Sequence, residues 1–371
     1  MKVIVKTLYG AEELLKKELE TLGATQIEAQ RRAVSCQVDK KTLYKINLWS
    51  RFALRVLMPV CEFKAKDDKE LYDNIVAYDW QDMIEPSRSF MIDHITFSSV
   101  FPNSQFLAQR TKDAVVDKIR SKCGVRPSIN FDNPDILLNV HATDESISVS
   151  LDASGTTLNH RGYRSAQLPS ATNEVLAAVL VELSGWKPSE TLIDPMCGSG
   201  TVCIEAAMKA RNIAPNLYRK MKFAFQNWKD YDEKMWTDLV DEARQACNKQ
   251  RLSIIGSDVD GEAIDVARYA ALELGLTPDV RTLRKSLREQ SRTTESGVII
   301  TCPPTNAEET RRGLEDFYKE ITYYLSHNYP DHDAWIYSTD IKALKAIEYR
   351  AEKKFQVYSG SQEGNFNLYP F

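Results

Sequence analysis

Apolar residues in the first 150 positions fall into short alternating runs separated by helically spaced ones. Val3 and Val5 alternate with lysines, which predicts a strand over 2–6. Leu14, Leu15, Leu19 and Leu22 recur at helical spacing over 11–22, and Gly23 stands where a left-handed C-terminal cap belongs. Positions 33–38 read as a strand, 43–48 as a helix and 52–60 as a strand. A short amphipathic run at 71–77 precedes an alternating strand at 89–97. Val115, Val116 and Ile119 give 106–122 one apolar side, with bases on its other faces. Two further strands, 135–141 and 146–152, flank a turn at Thr143-Asp144-Glu145, and Ser154-Gly155 breaks the pattern.

Near Asn173 the texture changes. Helical spacing over 174–183 leads to a buried strand at 191–193, a helix at 201–208, a strand at 252–256 and a helix at 262–274. A strand at 297–301, a helix at 314–325 and a strand at 334–337 follow. Strand–helix alternation predicts parallel β-α-β units in a doubly wound sheet. Such sheets bind ligands beyond the carboxyl ends of their strands.

The 371 residues are enough for two or three domains at roughly 100–200 residues each. A net charge of −4 excludes a globally basic coat. The charge is uneven: residues 1–60 carry +5, 61–155 carry −6 and the remainder −3. Within the acidic middle, Arg110, Lys112, Lys118, Arg120, Lys122 and Arg126 make a local basic stretch. The seven cysteines include no C-x-x-C pair, and the histidines lack ligand spacing, so no metal site is expected. No signal peptide and no apolar run of about 18 residues is visible, so a cytoplasmic chain without a membrane span is expected.

The most informative stretch is Asp194-Pro195-Met196-Cys197-Gly198-Ser199-Gly200-Thr201, between the strand at 191–193 and the helix at 201–208. Its glycines let a ligand approach the backbone and free the N–H groups at the helix start. No lysine follows the last glycine, so the turn is not a phosphate loop. A second acid, Asp258, ends the strand at 252–256 and precedes Val259. A carboxylate there can accept hydrogen bonds from both hydroxyls of a ribose. The structural alternative is a plain turn with a helix cap at Asp258 or Asp260.

The turn resembles the first motif of class I S-adenosylmethionine-dependent methyltransferases, in the form typical of large-subunit ribosomal RNA guanine-N2 methyltransferases. Lys112-Asp113-Ala114-Val115-Val116-Asp117, Gly124-Val125-Arg126-Pro127, His160-Arg161-Gly162-Tyr163-Arg164 and Asn173-Glu174-Val175-Leu176-Ala177-Ala178 are similar to further segments of that family. The resemblance runs to about residue 300. It implies an α/β fold: a Rossmann-like class I methyltransferase domain preceded by α+β ferredoxin-like and THUMP domains. The boundaries expected are 1–60 for the ferredoxin-like domain, 61–155 for the THUMP RNA-binding domain, 156–172 for a linker and 173–371 for a seven-stranded catalytic domain.

The resemblance also implies site residues. Asp194, Pro195, Cys197, Gly198, Ser199, Gly200, Thr201, Asp258, Val259 and Ser286 are expected to hold S-adenosyl-L-methionine. Arg110, Lys112, Lys118, Lys122, Arg126, Arg161 and Arg164 are expected to contact RNA. Two departures stand out. The family's fourth motif, Asn-Pro-Pro-Tyr, reads Cys302-Pro303-Pro304-Thr305 here, followed by Asn306-Ala307-Glu308-Glu309. Ser286 occupies the place of an acid after the third strand. A thiol is a weak hydrogen-bond acceptor and Thr305 cannot stack on a base. The expected reaction is methyl transfer to the N2 amine of a guanine in 23S rRNA or a ribosome assembly intermediate, with Cys302, Pro303, Pro304 and Thr305 on the acceptor side. The rival is an assembly-factor type of RNA-binding protein whose fourth motif has lapsed. DNA adenine methylation fits poorly with the RNA-type N-terminal half.

Overall fold

The computed structural model describes residues 1–166, 168–169, 171–291, 296–305 and 313–371. The N-terminal half runs β1 (Lys2–Lys6), α1 (Glu12–Leu22), β2 (Thr25–Gln30), β3 (Ala33–Gln37), α2 (Lys40–Trp49), β4 (Arg55–Lys64), α3 (Asp68–Val76), β5 (Ser89–Phe97), α4 (Ser104–Cys123), β6 (Ser128–Ile129), β7 (Ile136–Thr143) and β8 (Ser146–Asp152). Its strands form one sheet in the order β2-β3-β1-β4-β8-β7-β5-β6. Leu15 and Leu19 of α1 bury one face, and Gly23 ends that helix in the left-handed region at φ 102°.

β4 joins the two N-terminal units. Its residues Arg55–Leu57 pair with β1 on one edge. Leu57–Lys64 pair with β8 on the other. The strand continues through positions 60 and 61, where the sequence places a boundary, with a register shift between Pro59 and Cys61. The two units therefore share one sheet. β2 escapes the hydrophobic pattern because it is an edge strand with little to bury, its strongest apolar residue being Ile27.

The C-terminal half runs α5 (Glu174–Ser184), β9 (Leu192–Asp194), α6 (Thr201–Ala210), α7 (Glu233–Gln245), β10 (Ile254–Asp258), α8 (Gly261–Glu273), β11 (Val280–Arg284), β12 (Val298–Thr301), α9 (Leu314–Asn328), β13 (Asp333–Ser338), α10 (Ile341–Ala346), β14 (Lys353–Gln356) and β15 (Asn365–Pro370). The sheet order is β11-β10-β9-β12-β13-β15-β14. The first five strands of that order are parallel. β15 enters antiparallel beside β13 and carries β14 on its far edge. The chain winds outward from β9 to β11 and then returns to β12. The direction reverses between β9 and β12, and a crevice opens there at the strand ends.

Short polar residues start many of these helices. Asp39, Asp67, Asn103, Asn173, Asp232, Asp260 and Asp340 each accept a backbone N–H at a helix start. Each such cap contributes roughly 1 kcal/mol.

The segment between α6 and β10 docks back onto the first half. Tyr44 of α2 stacks on Phe225 with ring centroids 4.3 Å apart, and Trp236 stands edge-on to both. Trp228 packs against the cores of both halves. Lys40 and Asp230 form an ion pair of 2.8 Å at the rim.

Candidate methyltransferase site

β9 delivers Asp194 to its carboxyl end, and the chain turns through Gly198 and Gly200 into α6. Both glycines adopt positive φ, 51° and 72°. A Cβ on Gly200 would lie 2.8 Å from the Cβ of Ala267, so this position is closed to side chains by the packing of α6 on α8. A Cβ on Gly198 would meet nothing within 4 Å, which marks open space above the turn.

β10 supplies the partner. The Gly198 N–H donates to Asp258 Oδ2 at 2.8 Å, and the Asp260 N–H donates to Oδ1 at 3.0 Å. The Cys197 N–H donates to the Ser257 carbonyl at 2.9 Å. Asp258 thus fixes the turn and is not a helix cap; that task falls to Asp260, which accepts from the Glu262 N–H. Each Asp258 oxygen keeps a lone pair beyond these bonds. Val259 beside it is 62% exposed, at the mouth of the crevice.

Asp194 is buried under the turn. Burial pushes its carboxyl up to about 7, with the Thr301 hydroxyl and the Met196 amide pulling the other way and Asp258 adding to the rise. Pro195, Ser199 and Thr201 are buried with it. Cys197 is buried too, and Gly256 leaves the room it needs: a Cβ there would come within 3.0 Å of its sulfur. Burial holds this thiol well above the ordinary range, in keeping with a cysteine that fills space.

Ser286, expected at the cofactor, is committed to a local turn. Its N–H and hydroxyl donate to Glu289 Oε2 at 2.8 and 2.9 Å. Those bonds hold the Glu289 carboxyl below its usual range. A carboxylate therefore does stand at the end of β11, three residues after the position where sequence comparison places it. The serine at the start of a Ser-x-x-Glu cap was the available signal.

On the acceptor side, Cys302 follows β12 half-buried, its thiol raised by burial first and by Asp194 second. Pro303 is buried and Thr305 exposed. The hydroxyl of Tyr318 of α9, which no motif flagged, lies 3.3 Å from the Pro304 carbonyl oxygen and 2.8 Å from Ser338 Oγ, within hydrogen-bond reach of both. Positions 306–309 lie outside the described residues.

The expected RNA contacts divide. Arg161 and Arg164 are corrected to interior residues. Arg161 is 1% exposed and donates to the carbonyls of Leu158 and Arg51 at 2.8 and 2.7 Å. It faces Glu205, which also accepts from Tyr163. Nothing of it remains for RNA. The side chain of Arg164 is 7% exposed and pairs with Glu174 at 3.2 Å. On α4, Arg110, Lys112 and Lys118 are paired with Asp68, Asp113 and Asp79. Arg110 also lies over the Tyr72 ring, 4.2 Å from its centroid. Lys122 and Arg126 are exposed and make no ion pair among the described residues.

The donor set decides what kind of ligand fits the turn. The Asp258 carboxylate, the open space over Gly198 and the lack of a lysine directly after the last glycine disfavour a phosphate and suit a nucleoside bearing a positive sulfonium. Among the described residues no cluster of His, Cys, Asp or Glu could hold a metal ion, and no helix is long and apolar enough to cross a membrane.

Comparisons with known proteins agree with this geometry. Sequence models match an RlmL ferredoxin-like domain over residues 2–57, a THUMP domain over 65–152 and an RMKL-like methyltransferase domain over 161–367. The chain is 36% identical to the ribosomal RNA large subunit methyltransferase K/L of Syntrophotalea carbinolica, across 95% of its own length and 51% of that protein's. It thus spans about half of that relative. It is 33% identical to a putative RNA methyltransferase of Synechocystis sp., over 95% of its own length and 92% of the relative's. Among solved structures, the putative methyltransferase SMU.472 complexed with SAH is 28% identical, with a TM-score of 0.87 over 100% of this chain and 97% of the other. A possible methylase from Clostridium difficile 630 gives 28% and 0.88 over the same shares. The RMKL-like model takes in the linker arginines, the glycine turn, Asp258 and the strands through β15, more than half of all residues, and on that ground the chain belongs to the RMKL-like methyltransferase family, whose cofactor is S-adenosyl-L-methionine.

Proposed function

We propose that this chain methylates the exocyclic N2 amine of a guanine in large-subunit rRNA, acting on 23S rRNA or an assembly intermediate in the cytoplasm. The observation that supports this most directly is Asp258 clasping the Gly198 amide beneath an open, acid-lined turn. Bound there, S-adenosyl-L-methionine supplies an electrophilic methyl on a cationic sulfur. Asp258 would use its remaining lone pairs to hold the ribose hydroxyls, and Glu289, held by Ser286, would accept from the adenine amine. The turn from Pro195 to Thr201 excludes water from the floor, and Val259 covers the mouth.

The acceptor side carries Cys302, Pro303, Pro304 and Thr305. A guanine amine is a poor nucleophile because its lone pair is delocalised into the ring. Acceptors facing its two N–H groups localise that pair and aim it. The carbonyl oxygens at the start of this turn serve that purpose, with the Cys302 sulfur a weaker acceptor than an amide oxygen. No strong base is required, since the proton leaves to solvent once the amine is alkylated. Lys122 and Arg126 offer phosphate contacts from the second N-terminal unit.

The test is incubation with large-subunit rRNA and methyl-labelled cofactor, followed by digestion to nucleosides. Label in N2-methylguanosine is expected. Label in another nucleoside, or tight RNA binding with none transferred, sinks this reading.

A further inference from the structure

The sheet joins the two sides of the crevice over a short stretch only. β9 and β12 pair only through Leu192 with Val298 and Ile193 with Ile299. Beyond those residues β9 pairs only with β10, at Asp194, and β12 only with β13, at Ile300 and Thr301, before the chain reaches the cofactor turn at 195–200 and the acceptor turn at 302–305. Side-chain contacts past the paired residues add to the sheet in setting their relative placement.

One guanidinium spans the gap. Arg164 Nη2 donates to Thr201 Oγ1 at 2.6 Å and to the Thr172 carbonyl at 2.5 Å. Thr201 is the first residue of α6, directly after Gly200. The Thr172 side chain is in turn hydrogen-bonded to the Cys302 thiol. Nη1 of the same guanidinium rests on Glu174, in the first turn of α5. The planar fork of an arginine can reach all these groups at once, whereas an ammonium cannot.

We infer that Arg164 is a positioning residue that holds the acceptor turn in register with the cofactor turn, through Thr201 on one side and Thr172 on the other. It touches neither reactant. The inference rests on the proposed methyl transfer for its kinetic consequence only, since the placement of Cys302 can be read without any substrate.

Arg164→Ala strands the buried Glu174 carboxylate, so Arg164→Lys, which keeps the charge, is the primary variant. Peptide-mapped alkylation reports the packing of Cys302, calorimetry the affinity for S-adenosyl-L-methionine, and turnover on rRNA the alignment. Arg164→Lys is expected to speed alkylation of Cys302 about tenfold and to lower kcat by roughly 10²-fold, as a misplacement on the ångström scale does. Cofactor Kd should change by less than about threefold and thermal melting should stay cooperative, a split that general loosening would not give. Thr172→Val, which frees the thiol alone, should speed the same alkylation with a smaller fall in kcat. Wild-type alkylation of Cys302 in Arg164→Lys would overturn the inference, as would a kcat loss matched by the loss of cofactor affinity. If the wild-type protein transfers no methyl to rRNA, the functional reading fails while the alkylation result still decides the strut.

Discussion

The cofactor side and the acceptor side of the crevice are built on different principles. After β9 and β10, main-chain groups make the site: amides of Gly198 and Asp260 close on one carboxylate, and Cys197 closes on Ser257. After β12, the proposed acceptor turn relies on side chains as well as carbonyl oxygens, and two of its residues, Cys302 and Thr305, depart from the family pattern. A site made of backbone tolerates few residues at its turns, because positive φ and close approach exclude side chains. A site made of side chains can be altered one residue at a time without disturbing the fold.

This contrast can be broken at several points. The largest effect should come from Gly200→Val, which forces a branched residue into positive φ and against Ala267. It is expected to destabilise the protein by about 2–3 kcal/mol and to abolish cofactor binding, read by thermal melting and calorimetry. On the other side, restoring Cys302→Asn together with Thr305→Tyr should raise turnover on rRNA by up to about 10²-fold by supplying an oriented acceptor and a stacking ring. Turnover that is already high and unchanged would remove the significance given to those positions.

Asp258→Asn keeps the shape of the β10 end and loses its charge. Cofactor Kd should rise by roughly tenfold, with a smaller loss of stability from the weakened Gly198 bond. Asp194 lies between the two sides and gives a pH signature. Its folded carboxyl is raised to about 7, so the folded protein holds a proton where the unfolded chain has lost it. That contribution is full below about pH 4 and is lost as pH rises toward 7. Denaturant titrations from pH 4 to 8 should show stability falling over this window, and Asp194→Asn should flatten that fall. Smallest of all, Lys122→Ala and Arg126→Ala should each lower the salt dependence of RNA binding by about one unit of slope, equally on all sequences. Arg110→Ala, whose charge is used on Asp68, should not.

The basic segment of the linker shows where sequence reading goes astray. His160-Arg161-Gly162-Tyr163-Arg164 has the composition of an RNA contact, and its arginines are buried between the two halves. Burial pushes Glu205 up and Arg51 down, the signature of charges taken out of water together. Composition reports that a segment is charged. It does not report whether acids from α5 and α6 converge on it.

The sequence by itself determined the parallel strand–helix alternation, the glycine turn and the two strand-end acids, because each is a local demand of backbone geometry on residue type. Tertiary structure alone decided that β4 serves two units, that Arg161 pairs with Glu205 in the interior, and that Arg164 bridges Thr201 and Thr172. Those facts depend on which distant side chains come within hydrogen-bond reach. Such distances are set by the packing of whole elements, and no spacing along the chain encodes them.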